Sequence, residues 1–308
     1  MDSKEIFRVD MDHDGERVDK FLALIYPSIS RTGFQKLISD DHVLVNGEKV
    51  KKNATVHFDD EVEVFLPEAV PIAVEPENIP LDILFEDDDV LVINKPKNMV
   101  VHPSAGHLSG TVVNAVLYHC ANSLSGINGE LRPGIVHRID KDTTGSLIIC
   151  KNDVSHAAIA EQIKAHSCER IYVGIVCGNI PDDEGSVSGN IGRSPSDRKK
   201  MAVTPQGKSA VTHYKVLKRY GSYTYVQFKL ETGRTHQIRV HMAHIGFPLL
   251  GDEVYGRGGR SPFKTFGQCL HARDISFDHP RTGERVSVSA PIPEYFETIL
   301  SRLENVQY

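Results

Sequence analysis

The stretch His137-Arg138-Ile139-Asp140-Lys141-Asp142-Thr143-Thr144-Gly145-Ser146-Leu147-Ile148-Ile149-Cys150 sets a polar turn directly ahead of an apolar run. Four consecutive apolar residues, 147–150, read as a short buried strand. The turn before it holds Asp140 on a rigid edge with Arg138 two residues away, and Gly145 is expected to let the chain turn back into the core. A nearby cation favours the ionised form of a carboxylate, so Asp140 is a candidate nucleophile or base. A surface ion pair without chemistry has the same local pattern, and spacing alone leaves both readings open.

Outward from this turn, strand-like runs dominate residues 81–308: 90–94, 171–177, 212–217 and the alternating Tyr-Thr-Tyr-Val-Gln-Phe-Lys-Leu of 223–230. Helical spacing covers 112–118, 155–166, a short piece from His241 toward Gly246, and 294–303. Strands and helices do not alternate regularly. That pattern predicts an α+β fold, with a mixed, largely antiparallel sheet flanked by helices. Two further segments carry polar residues of interest. Glu231-Thr232-Gly233-Arg234-Thr235-His236-Gln237-Ile238-Arg239-Val240-His241 places Arg234 and Arg239 at the end of a strand. Glu169-Arg170-Ile171-Tyr172-Val173-Gly174-Ile175-Val176 reads as a buried strand in which Tyr172 is, on the residues alone, a core tyrosine.

The N-terminal segment has a different grammar. Residues 18–25 show helical apolar spacing, and Ser30 caps a second helix over 31–38 with Phe34, Leu37 and Ile38 on one side. A hairpin with an Asn46-Gly47 turn follows, then a strand at 59–64. Residues 17–52 hold seven basic side chains against four acidic ones, a local charge of +3. A second basic stretch, Arg193, Arg198, Lys199, Lys200, Lys208 and Lys215 against Asp197 alone, suits phosphate. Residues 67–80 are proline-rich and aperiodic, which predicts an extended linker. The chain is therefore expected to divide into a small α/β domain at 1–70, a linker at 71–80 and a larger domain at 81–308.

The 308 residues, 40% hydrophobic with a net charge of −6, suffice for one large core and one small one. No apolar run is as long as a membrane span, and the first residues lack the pattern of a signal peptide, so a soluble, cytoplasmic protein is expected. Five cysteines at irregular spacings predict reduced, buried thiols. The acidic runs 59–61 and 86–89 are expected to face water. His137, His236, His241 and His244 raise a metal hypothesis, but 236 and 241 share no face of a strand or a helix, so no metal site is expected. No motif for a phosphate loop, a dinucleotide or a cysteine ligand set is present, and no cofactor is expected.

Taken in order, the three segments around Asp140, Tyr172 and Arg239 resemble the RNA pseudouridine synthases, in the branch that modifies large-subunit ribosomal RNA. The resemblance runs from about residue 90 to 295 and includes Gly110-Thr111-Val112-Val113-Asn114-Ala115. It also includes Ile191-Gly192-Arg193, Met201-Ala202-Val203 and Gly207-Lys208. The N-terminal segment resembles an S-four-type RNA-binding module. The resemblance implies an isomerase that breaks the N1–C1′ bond of uridine, turns the base and rejoins it through C5, with no cofactor. By the same resemblance Asp140 is the catalytic carboxylate, acting as nucleophile or as base. Arg239 is its partner, with Arg234 the second candidate, Tyr172 stacks on the base, and Ile238 walls the pocket. Arg138 enters the RNA to displace the uridine. Arg17, Arg31, Lys36, Arg193, Arg198, Lys199 and Lys200 are candidate RNA contacts. Ribosomal RNA is the expected partner of a monomer in ribosome biogenesis. The same chemistry on transfer RNA, or an RNA-binding assembly factor without catalysis, are the competing readings.

Overall fold

Seven consecutive residues of the strand after the Asp140 turn, Thr144–Cys150, are buried, as a strand covered on both faces requires. The computed structural model of the protein describes residues 3–26, 29–66, 74–103, 107–121, 123–127, 133–197, 200–256 and 262–305. The chain forms two compact units, Met1–Ile72 and Ala73–Tyr308. No helix among the described residues is long and apolar enough to cross a membrane.

The first unit runs β1 (Ser3–Arg8), α1 (Val18–Ile25), α2 (Arg31–Ser39), β2 (Val43–Val45), β3 (Glu48–Lys49) and β4 (Glu61–Leu66). Its sheet has the order β1-β4-β2-β3, antiparallel throughout. Val18, Phe21 and Leu22 of α1 meet Phe34 and Ile38 of α2 over Val43, Val62 and Val64. Each such side chain contributes roughly 1.5–3 kcal/mol when fully buried. The Ser30 hydroxyl accepts the Gly33 amide at 3.2 Å and caps α2. The strand β1 was not anticipated, because its only apolar pair, Ile6-Phe7, does not alternate.

The second unit holds β5 (Ile83–Glu86), β6 (Val90–Lys95), α3 (Val112–Cys120), β7 (Thr144–Cys150), α4 (Asp153–Lys164), β8 (Glu169–Cys177) and β9 (Glu184–Arg193). Then come β10 (Met201–Val203), β11 (Lys208–Arg219), β12 (Tyr223–Leu230), α5 (Gln237–His244), β13 (Leu270–Asp278), β14 (Arg285–Ser289) and α6 (Glu294–Asn305). The sheet runs β10-β9-β11-β12-β8-β13-β7-β6-β5, with β14 beside β13. Among the described residues only β13 and β7 pair in parallel, so the fold is α+β with a mixed, mostly antiparallel sheet. One face packs Val112, Val113 and Val116 of α3 on Leu91, Ile93, Leu147 and Ile149. Phe296, Ile299 and Leu303 of α6 cover Val173 and Ile175 of β8.

Four expectations change. Gly145 does not turn the chain; it lies inside β7 at φ 109°, where any Cβ would strike the Ala272 carbonyl of β13. The close parallel pairing, not a bend, demands glycine there. Residues 74–80, read as linker, lie on the second unit: Asn114 Nδ2 donates to the Glu75 carbonyl at 2.8 Å, and Val74 and Ile79 join the α3 core. The preceding 67–73 fall outside the described residues. Ile238 and Arg239 lie on α5 and not at a strand end, because the helix begins at Gln237. The acids of 86–89 do not all face water. Asp89 is buried under a bidentate Arg281, and Asp87 accepts from His279 Nε2 at 2.7 Å. Of the cysteines, four are buried, Cys177 is half-buried, and none of the five is in a disulfide.

Candidate active site

Asp140 occupies the first position of a turn closed by the Thr143 amide, which donates to the Asp140 carbonyl at 3.1 Å. Buried Ile139 anchors that turn in the β8–β12 core. Beneath it lies Lys95, the last residue of β6 and fully buried. Its Nζ donates to the carbonyls of Pro96 at 2.7 Å, Met99 at 2.8 Å and Lys141 at 3.0 Å. Burial pulls the Lys95 pKa down to about 7, while Asp142 and Asp140 pull it up. Three acceptors match the three donors of an ammonium, so Lys95 ties the residue after Asp140 to the sheet. Lys95→Met is expected to lower stability by about 3 kcal/mol, since it leaves these enclosed carbonyls unmatched. Urea denaturation checks this, and an unchanged midpoint would remove Lys95 from the account.

The Asp140 carboxylate is 17% exposed, and its Oδ2 accepts from Arg239 Nη1 at 2.9 Å. The other edge of the guanidinium forks onto Asp252, with Nε to Oδ2 at 2.7 Å and Nη2 to Oδ1 at 2.9 Å. Asp252 Oδ1 also accepts the amides of Val254 and Tyr255 at 2.9 and 3.0 Å. Burial pushes the Asp252 carboxyl up, but Arg239 and these amides outweigh it and hold it below the usual range. Burial likewise acts against the Arg239 charge, and the two carboxylates more than offset it. An arginine in the first turn of a helix opposes the helix dipole, and Asp252 with Asp140 supplies the compensating charge.

His236 precedes α5 in the left-handed conformation, φ 57°. Its Nδ1 lies 2.8 Å from the Tyr255 hydroxyl and its Nε2 lies 3.8 Å from Asp140 Oδ1. The Tyr255 oxygen accepts the Met201 amide at 3.0 Å, which leaves its hydrogen for His236 Nδ1 and an Nε2–H toward Asp140. Burial lowers the pKa of His236. His137 is a different case: its Nε2 accepts the Ile148 amide at 3.0 Å, and burial takes its pKa down to about 3. It is a neutral, structural histidine.

Asp140 and Arg239 open onto a cleft of about 630 Å³ whose lining includes Arg138, Arg170, Tyr172, Arg234 and Ile238. Asp140 and the five residues singled out around it thus line one cleft. Tyr172 stands on β8 at 6% exposure, packed with Ile139 and Ile238, and burial pushes its hydroxyl up to about 12. Arg138 is exposed at the rim. Arg234 does not reach Asp140; its Nε donates to the Ser209 carbonyl at 2.9 Å. Of the candidate RNA contacts, Arg193, Lys200 and Lys36 are exposed, while Arg198 and Lys199 fall outside the described residues. Arg17 and Arg31 both reach the fully buried Asp19, which also accepts from Gln35. Burial raises the Asp19 pKa, and these donors overcome it and bring it to about 2. The two guanidinium groups are therefore spent in part on the fold. The sequence reading missed Asp252, Tyr255 and Lys95. For Asp252 the one signal was a glycine and a carboxylate straight after the apolar pair Leu249-Leu250.

Residues 89–244 match the family described as RNA pseudouridylate synthase, and residues 16–62 match the S4 domain. An uncharacterized RNA pseudouridine synthase of Bacillus subtilis, YlyB, is 50% identical over 94% of this chain and 94% of its own length. A protein of Pasteurella multocida named ribosomal large subunit pseudouridine synthase D is 43% identical over 94% of this chain and 92% of its own. Among solved structures, human RNA pseudouridylate synthase domain containing 4 shares 25% identity with a TM-score of 0.56, over 72% of this chain and 93% of its own. The chain belongs to the RNA pseudouridine synthases and is an isomerase of that family.

Proposed function

We propose that the chain converts uridines to pseudouridine in large-subunit ribosomal RNA, with Asp140 as the catalytic carboxylate. The observation that carries the reading is the ion pair fixed at the cleft, Asp140 to Arg239 at 2.9 Å, walled by Tyr172 and Ile238. The target uridine stacks on Tyr172, against Ile238, with its sugar at Asp140. Asp140 acts on that sugar as nucleophile or base while the glycosidic bond breaks; the freed uracil turns on the Tyr172 face and C5 bonds to C1′. The proton on C5 leaves and N1 gains one, so the reaction is a balanced isomerisation. Arg138, exposed at the rim, fills the place the uridine vacates in the RNA. The substrate assignment rests on the relatives named for the large ribosomal subunit. A monomer acting in the cytoplasm is the simplest setting for it.

Tritium release from [5-³H]uridine-labelled large-subunit ribosomal RNA tests the proposal. Release from transfer RNA alone would move the substrate, and release from neither would leave an RNA-binding factor. The S4-type unit, residues 1–72 with exposed Lys36, Lys20 and Lys51, is assigned to RNA affinity. Removing it is expected to leave a cooperative melt for the second unit. Affinity for ribosomal RNA should fall and its salt dependence become shallower, as read by filter binding. Aggregation of the truncated chain would show the two units to be interdependent.

A further inference from the structure

Arg170 is 5% exposed, yet its Nε and Nη2 have no hydrogen-bond partner. An arginine cannot shed its charge, and a buried cation without a partner is costly unless a ligand completes it. The nearby carboxylates are engaged elsewhere. Glu169 pairs with Lys229 and Arg285, Glu231 with His213, and Asp140 with Arg239. Arg170 lines the same cleft as Tyr172, two residues away on β8, so both side chains leave one face of the strand. Two such positions stand about 7 Å apart. That spacing suits a base on one residue and the phosphate of the same nucleotide on the other.

We propose that Arg170 binds the phosphodiester of the target nucleotide while its base lies on Tyr172. This rests on the reading of the cleft as the uridine site. The anion supplies the countercharge that none of the ion pairs of the described residues gives Arg170. The pocket is thereby selective for a nucleotide within a chain over a free nucleoside. Gly233 supports the arrangement: a Cβ there would lie 2.9 Å from Arg170 Nη1, so the glycine leaves room for the guanidinium.

The test compares full-length wild type, Arg170→Met and Gly233→Ala on a large-subunit ribosomal RNA transcript. Filter binding is measured across a salt series and set beside thermal melts and single-turnover tritium release. Arg170→Met is expected to weaken binding roughly ten-fold or more and to reduce the salt slope by about one phosphate contact. Its melting temperature should hold or rise, because an unpaired buried charge is gone. Gly233→Ala, on an exposed loop, should weaken binding with an unchanged melt. An unchanged salt slope in Arg170→Met, or a lower melting temperature with unchanged affinity, would overturn the proposal and make Arg170 a structural cation. If wild type binds with the expected slope change on mutation but releases no tritium, the phosphate assignment stands and the function proposed above fails.

Discussion

Asp140→Asn is expected to reduce pseudouridine formation to background while leaving the fold and RNA affinity nearly intact. The substitution keeps the size of the side chain and an oxygen able to accept from Arg239 Nη1, now at 2.9 Å from Oδ2. It removes the negative charge and with it the nucleophilic or basic lone pair. Among the described residues no other carboxylate is placed to stand in, and Glu231 at the cleft is paired with His213. Asp252 has a fully buried side chain and is committed to Arg239, and Asp142 points its carboxyl at Gly267. Phosphate and stacking contacts lie elsewhere in the cleft, so binding persists. Arg239 keeps its bidentate bond to Asp252, which limits the loss of stability to well below that of an isolated buried cation. Carbodiimide labelling with primer extension on treated ribosomal RNA checks the activity, and filter binding checks the affinity.

Arg239→Ala should be the most damaging single change to the fold of the site. Among the described residues it removes the one side-chain cation bonded to Asp252 and strands that carboxylate in the interior, at a cost of about 3–5 kcal/mol. It also frees the Asp140 side chain, so turnover falls together with stability. Arg234→Ala loses one bond from Nε to the Ser209 carbonyl and one edge of the cleft, and its cost is expected near 1 kcal/mol. Urea melts and single-turnover rates on the two variants decide between them. A stable, active Arg239→Ala protein would contradict the role given to the ion pair. The double change Asp252→Asn with Asp140→Asn should destabilise further, because Arg239 then loses both carboxylates it bonds.

The buried strand after Asp140 is legible in the sequence from its continuous apolar run, β12 from a period of two, and the two N-terminal helices from a period of 3.6. The sequence did not disclose β13, whose Leu-His-Ala-Arg-Asp-Ile-Ser-Phe-Asp mixes polar and apolar residues out of register. That strand is central, and its pairing with β7, β8 and β14 is a long-range fact that local pattern does not carry. The same limit applies to the site. Asp140, Tyr172 and Arg239 stood out by motif, but their third partner did not. Asp252 lies 112 residues beyond Asp140, and only folding brings it to the far edge of the guanidinium. Arg239 reads as a strand-end residue because its segment follows directly on the alternating run that ends at Leu230. The left-handed backbone at His236, φ 57°, starts a helix there instead, and no periodicity announces it. Arg170 passed as an ordinary strand residue, since burial without a partner is invisible before the neighbours are placed.

One carboxylate, Asp140, is proposed to perform the isomerisation in the cleft of Tyr172 and Arg239. Single-turnover tritium release from [5-³H]uridine-labelled large-subunit ribosomal RNA, run side by side on wild type and Asp140→Asn at saturating enzyme, tests it most directly. Wild type is expected to release tritium and the variant none, with both proteins bound to the RNA and melting cooperatively. Release by a folded Asp140→Asn protein at a rate near that of wild type would contradict it.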